Sequence, residues 1–119
     1  MSATLILNTL RTLTPQYSNE DELQRALAEA LEDVGVFVHR EHLLDLGNRI
    51  DLYCPLSATG IEVKIKGSAR SVTRQLTRYA AFDEIHDLVL VTTRSAHHHV
   101  PATIGTTPVH LVTYVEGGL

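Results

Sequence analysis

The chain has 119 residues and a net charge of −4, enough for one compact domain (1–119) with a modest core. A hydrophobic fraction of 44% is ordinary for a globular chain; no apolar run approaches a membrane span and no signal peptide is visible. The acidic balance argues against nucleic-acid binding by bulk electrostatics, though not against a local basic patch, and the single cysteine excludes an internal disulfide and fits a reducing, cytoplasmic setting.

Leu5, Ile6, Leu10 and Leu13 recur at helical spacing. They predict a short helix over 3–13 that ends at Thr14-Pro15. Arg11, its one charge, reads as a solvated arginine. Ser18 reads as the cap of a stronger helix with Glu20, Asp21 and Glu22 in its first turn. Leu23, Leu27, Leu31 and Val34 make its apolar stripe, flanked by Ala26 and Ala30. At about 100° per residue, Glu20 falls in line with Leu27 and Leu31, whereas Glu22 points away beside Glu29. A carboxylate on the apolar face has two readings. It can swing outward and favour the helix dipole, or it can be a further acid delivered to a site.

Gly35 stops the helix. Val36 to Leu44 reads as a first strand, and Asp45-Leu46-Gly47-Asn48 as a turn. Arg40 and Arg49 either balance nearby acids or contact phosphate.

Arg49 to Lys66 reads as two strands joined by the breaker-rich turn Pro55 to Gly60. In the first, Ile50, Leu52 and Cys54 alternate with Asp51 and Tyr53. In the second, Ile61, Val63 and Ile65 alternate with Glu62, Lys64 and Lys66. Glu62 and Lys64 must therefore share a face, and a one-residue slip would bury charges in place of aliphatics. Pairing the strands as a hairpin puts Asp51 beside both. Two adjacent carboxylates repel and are costly to desolvate unless a cation joins them. A magnesium-type ion takes oxygen ligands and keeps waters for substrate phosphate. A neighbouring ammonium can orient or help deprotonate water and steady charge on the phosphate. Cys54, on the apolar side, reads as an inert buried thiol.

After Gly67-Ser68 a helix is expected through about Phe82, with Val72, Gln75, Leu76 and Tyr79 on one face. Gln75 is polar among apolar neighbours and reads, from the pattern alone, as a core-edge amide bonded to backbone. Arg70, Arg74 and Arg78 recur every four residues, with Lys66 before them. This stripe is either a solvated face or a phosphate-tracking strip. Asp87 to Thr93 is nearly continuous in apolar residues, as suits a parallel strand buried on both faces beside the Glu62–Lys64 strand. His97, His98 and His99 cannot all face one ion from a regular element. They read as a coincidental or solvated tract rather than a zinc site. His39, His42, His86 and His110 show no usable ligand spacing. Val109 to Val115 reads as a last strand.

The order Asp51, a gap, then Glu62-Val63-Lys64 resembles the PD-(D/E)xK nuclease superfamily, with Ile50 where the motif name has proline. Without the first helix, the expected elements match the αβββαβ core of that restriction-endonuclease-like fold over roughly 18–93, a central mixed sheet flanked by helices in an α/β domain. The resemblance implies Mg²⁺- or Mn²⁺-dependent hydrolysis of DNA phosphodiester bonds. Asp51 and Glu62 would hold metal, with the Val63 carbonyl as a further ligand, and Lys64 would activate water. Holliday-junction-resolvase-like members carry a glutamate on an early helix, a position Glu20 takes here, and Gln24 resembles a polar residue of some relatives. Gln75 resembles a glutamine that members place near the site. Lys66, Arg70, Arg74 and Arg78 would follow the nucleic acid.

The short chain has no room for a sequence-reading domain, so structure-selective or nonspecific cleavage is expected. A homodimer would suit an enzyme that cuts two strands. Two rivals stand beside this reading. One is a catalytically silent nucleic-acid- or partner-binding module of the same fold, and the other is a structural subunit whose Glu-x-Lys is accidental.

Overall fold

The computed structural model describes residues 3–114. Two helices, α1 (Ala3–Thr12) and α2 (Glu20–Asp33), precede three antiparallel strands, β1 (His39–Asp45), β2 (Asn48–Cys54) and β3 (Thr59–Lys64). Helix α3 (Ala69–Ala80) leads to β4 (Asp87–Thr92), a 3-10 helix (Ser95–His99), β5 (Thr103–Ile104) and β6 (Thr107–Thr113). The sheet order is β1-β2-β3-β4-β6-β5, with β3, β4 and β6 parallel. The protein is thus a mixed α/β domain with one six-stranded sheet.

Two apolar layers cover this sheet. On one face, Leu23, Leu27 and Leu31 of α2 and Ile6 and Leu10 of α1 pack against Leu52, Cys54, Ile61, Val63, Val89 and Val91. On the other, Val72, Leu76 and Tyr79 of α3 pack against Ile50, Tyr53, Leu88 and Leu90. Strand β4 contributes to both, which explains its unbroken apolar run. Cys54 is 1% exposed, and burial pushes its thiol up to about 12, consistent with an inert core group.

Several local expectations need correction. Asn19, not Ser18, caps α2: its side chain accepts the Glu22 N–H, while Glu22 reaches back to the Ser18 N–H. Ala28 is buried on the α2 stripe where Ala26 and Ala30 were expected, and Val34 is exposed as the helix unwinds into Gly35. Strand β1 starts at His39 rather than Val36, because Val36 fills the α2 core while Phe37 is exposed. Strand β3 ends at Lys64; Ile65 and Lys66 already belong to the connection into α3. The 3-10 helix and the two-residue β5 were not foreseen. Val115 lies outside the described residues.

One correction concerns the centre of the molecule. Ile50 does not share the face of Leu52 and Cys54 but packs with Tyr53 and Tyr79 on the α3 side. The β2–β3 ladder runs from Cys54↔Thr59 only as far as Leu52↔Ile61. Beyond it, side chains replace the ladder, and the alternation in β2 breaks at Asp51.

Candidate functional site

The site begins where that ladder stops. The Val63 N–H donates to Asp51 Oδ2 at 2.8 Å, and the Asp51 N–H donates to Glu62 Oε1 at 3.3 Å. Each carboxylate thus satisfies a backbone donor at the point where the ladder ends. Alternation in β3 then places Lys64 on the Glu62 side, with Nζ 3.5 Å from Glu62 Oε2.

Gly60 lies two residues before Glu62 on the same face. A Cβ there would run into the ends of Ile50, Ile85 and Leu88. The glycine lets Ile50 close over the α3-side core just below the acids.

Glu20 comes from the opposite layer. It sits at the first turn of α2, on the sheet-facing side as its helical angle predicts. Its Oε1 accepts the Ile65 N–H at 2.9 Å, one residue past Lys64. The Glu20 charge reaches Asp51 and disfavours its ionisation. A cleft of about 370 Å³ opens beside this contact, lined by Ser18, Asn19, Glu20, Asp21, Ile65 and Lys66.

Electrostatics single out the pair. Glu62 is only 2% exposed. Burial, then the charge of Asp51, raises its pKa, and Lys64 offsets part of that rise. Asp51 is raised as well, first by burial, with the Val63 N–H pulling the other way. Glu41 and Glu20 add repulsion to Asp51, while Lys64 relieves it. Two carboxylates are therefore held together in a poorly solvated place with one ammonium in contact.

Glu41 was missed in the sequence. The β1–β2 register pairs Arg40 with Leu52 and His42 with Ile50, so Glu41 stands opposite Asp51. It adopts φ 52°, a left-handed conformation uncommon for a non-glycine residue. Nothing in the local composition signals it; only the register does.

The other expected site residues make contacts of their own. The Gln75 amide donates to Tyr79 Oη, and Tyr79 Oη donates to the Arg49 carbonyl, both at 2.8 Å. Gln75 thus props Tyr79, whose pKa rises through burial and the nearby charge of Glu62. Gln24 is buried and accepts from Arg40 Nε. Arg40 also pairs with Asp21 at 3.2 Å, so it balances acids on α2. Arg49 stands 4.0 Å from Glu41. Arg11 is not merely solvated: it donates to the Leu111 carbonyl. Lys66, Arg70, Arg74 and Arg78 are all exposed, and Arg78 donates to Asn48 Oδ1.

The histidine tract divides. His97 is fully buried, against the expectation of a solvated run. Its Nε2 lies 2.8 Å from the Gly67 carbonyl and its Nδ1 2.6 Å from Thr92 Oγ1. A carbonyl only accepts, so Nε2 carries a proton. His97 therefore fastens the 3-10 helix to the end of β4 and to the β3–α3 connection. His98 and His99 stay exposed.

Among the described residues, no three His, Cys, Asp or Glu side chains converge as a ready metal cage. None of the described helices is long and apolar enough to cross a membrane. Comparison with family models, curated proteins and solved structures finds no match to this chain.

Proposed function

We propose that this chain is a metal-dependent DNA endonuclease with a restriction-endonuclease-like core formed by α2, β1, β2, β3, α3 and β4. The observation that carries the reading is the interlock of Asp51, Glu62 and Lys64 where the β2–β3 ladder gives way.

The donor set suits a hard divalent cation. Burial and mutual repulsion make the Asp51–Glu62 pair costly when both are ionised, and a shared cation relieves that cost. Magnesium is usually held by one or two carboxylates together with water and substrate phosphate rather than by an all-protein cage. Asp51 and Glu62 would hold Mg²⁺ or Mn²⁺, with the Val63 carbonyl and Glu20 as further oxygen donors. When bound, such an ion supplies Lewis-acid neutralisation of charge on the scissile phosphate.

The chain's own residues do the rest. Lys64 orients the attacking water and offsets developing negative charge. Glu20, fixed by Ile65 N–H, keeps the acidic field focused at the end of β3. Gln75 acts through Tyr79, which secures β2 beside Asp51. Lys66 and the arginines of α3 attract the phosphate backbone.

A catalytically silent DNA-binding or partner-binding module of the same fold is the second reading. The retention of Asp51, Glu62 and Lys64 together weighs against it. Incubation with supercoiled, linear, single-stranded and four-way-junction DNA separates the two. The nuclease cuts at least one substrate with Mn²⁺, stops with chelator and is silent as Asp51→Asn. Binding without cutting under every condition would leave only the silent module.

A further inference from the structure

The arginine stripe of α3 does not face open solvent on all sides. Arg70, Arg74 and Arg78 line a groove of about 560 Å³ together with His99 of the 3-10 helix. Ala69, Thr73 and Thr77 make up the remaining lining. His97 explains why His99 is held beside them. Its two ring hydrogen bonds seat the 3-10 helix against Gly67 and Thr92, and His99 follows two residues later, exposed.

The lining has a definite chemical character. Among the described residues it presents three guanidinium groups, that of Arg78 also donating to Asn48 Oδ1, and an imidazole, with no carboxylate. No ion pair involves Arg70, Arg74 or Arg78 among the described residues. In a chain of net charge −4, this is a local concentration of positive charge with geometry suited to a polyanion. Residues four apart on a helix advance about 6 Å along its axis, so the arginines are a ladder rather than a single anion pocket. Arginine forks donate bidentately to phosphate oxygens. Among the described residues of the lining there is no Phe, Tyr or Trp. Groups that bind single strands without sequence preference normally supply such rings for base stacking.

We propose that this groove holds the phosphate backbone of one strand of duplex DNA, with Arg70, Arg74 and Arg78 on successive phosphates and His99 beside them. It reads no bases. The proposal rests on the reading of DNA as the partner, and it adds the form of DNA and the part of it that is held. The histidine tract thereby acquires two roles: His97 is the inward pin and His99 part of the groove lining.

Binding is measured by fluorescence anisotropy in chelator, where cleavage is silent, with the full chain. The probes are two labelled duplexes of unrelated sequence, a single strand of equal length, and phosphatidylserine vesicles. The duplexes should bind alike and more tightly than the single strand. The slope of log K against log salt should fall by about 1 for Arg74→Ala, as expected for one lost phosphate contact. Arg70→Ala/Arg74→Ala/Arg78→Ala should abolish most duplex binding, whereas the corresponding triple lysine variant should keep the salt slope. His99→Ala should weaken both duplexes equally. Circular dichroism and melting establish that each variant is folded.

Duplex affinity and slope unchanged in a folded triple alanine variant would overturn the proposal. So would preference for the single strand, or preference for the vesicles. The outcome is separable from the nuclease reading. A Lys64→Ala chain that binds duplex with the normal slope but does not cut leaves the groove intact. A triple alanine variant that binds and cuts as the parent does refutes the groove alone.

Discussion

Asp51 and Glu62 hold one another through the backbone: Glu62 accepts the Asp51 N–H, and Asp51 accepts the N–H of Val63, the residue after Glu62. This exchange gives the two carboxylates fixed positions before any ligand arrives. It also makes them expensive, because both are drawn toward the protonated form. Site preorganisation and local instability are then the same feature seen twice.

That cost has a pH signature. Both pKa values are raised in the fold, so the folded chain retains protons that the unfolded chain releases. Below the ordinary carboxylate range, near about 4, both states are protonated and the stabilising contribution is complete. As pH rises from there through the raised values, stability should fall. Melting temperature in chelator, followed across this range, should decline. Glu62→Gln should flatten the decline and melt higher than the parent at alkaline pH. A parent profile that rises with pH over the same window would contradict this.

Metal should reverse the trend. Ligand carboxylates must be ionised, so binding releases protons and strengthens with pH. Titration calorimetry with Mn²⁺ in buffers of different ionisation enthalpy should show proton release for the parent. Asp51→Asn should lose most of the heat. Identical heats for parent and variant would show that the ion sits elsewhere.

Glu20 separates charge from scaffold. Glu20→Gln keeps an oxygen for the Ile65 N–H but removes the charge felt by Asp51. It should melt like the parent while binding Mn²⁺ more weakly. Glu20→Ala strands the N–H and should also cost about 1–3 kcal/mol of stability. Denaturant titration together with Mn²⁺ titration distinguishes the two variants.

Two positions should matter for stability. Gly60→Ala pushes a methyl into the ends of Ile50, Ile85 and Leu88, a crowding worth about 1–3 kcal/mol. His97→Ala leaves the Gly67 carbonyl without its partner and the Thr92 hydroxyl with only the Arg94 N–H, at about 1–3 kcal/mol for a group that stays unpaired. Chemical denaturation measures both. An undiminished midpoint in either variant would refute the packing account at that position.

Much of the architecture could be read from periodicity. The Leu23–Leu27–Leu31 stripe, the alternation at Ile61, Glu62, Val63 and Lys64, and the apolar run of β4 are local signals, and each led to the right element. The sheet-facing direction of Glu20 followed from helical angle alone. What escaped was non-local or irregular. The loss of alternation at Asp51 depends on Val63 being near enough to satisfy a carboxylate. Glu41 becomes relevant only through the β1–β2 register. His97 looks like its neighbours in sequence, and only the arrival of Gly67 and Thr92 makes it a core residue. Strand β5 is two residues long, too short to carry a period.

Cleavage of supercoiled DNA by the Lys64→Ala chain tests the central claim most directly. Lys64 contacts Glu62 from a quarter-exposed position, so its truncation should leave the fold intact. With Mn²⁺, the parent should nick or linearise the DNA, and Lys64→Ala should be slower by on the order of 10²–10⁴-fold. A folded Lys64→Ala chain that cuts at the parental rate would contradict the account.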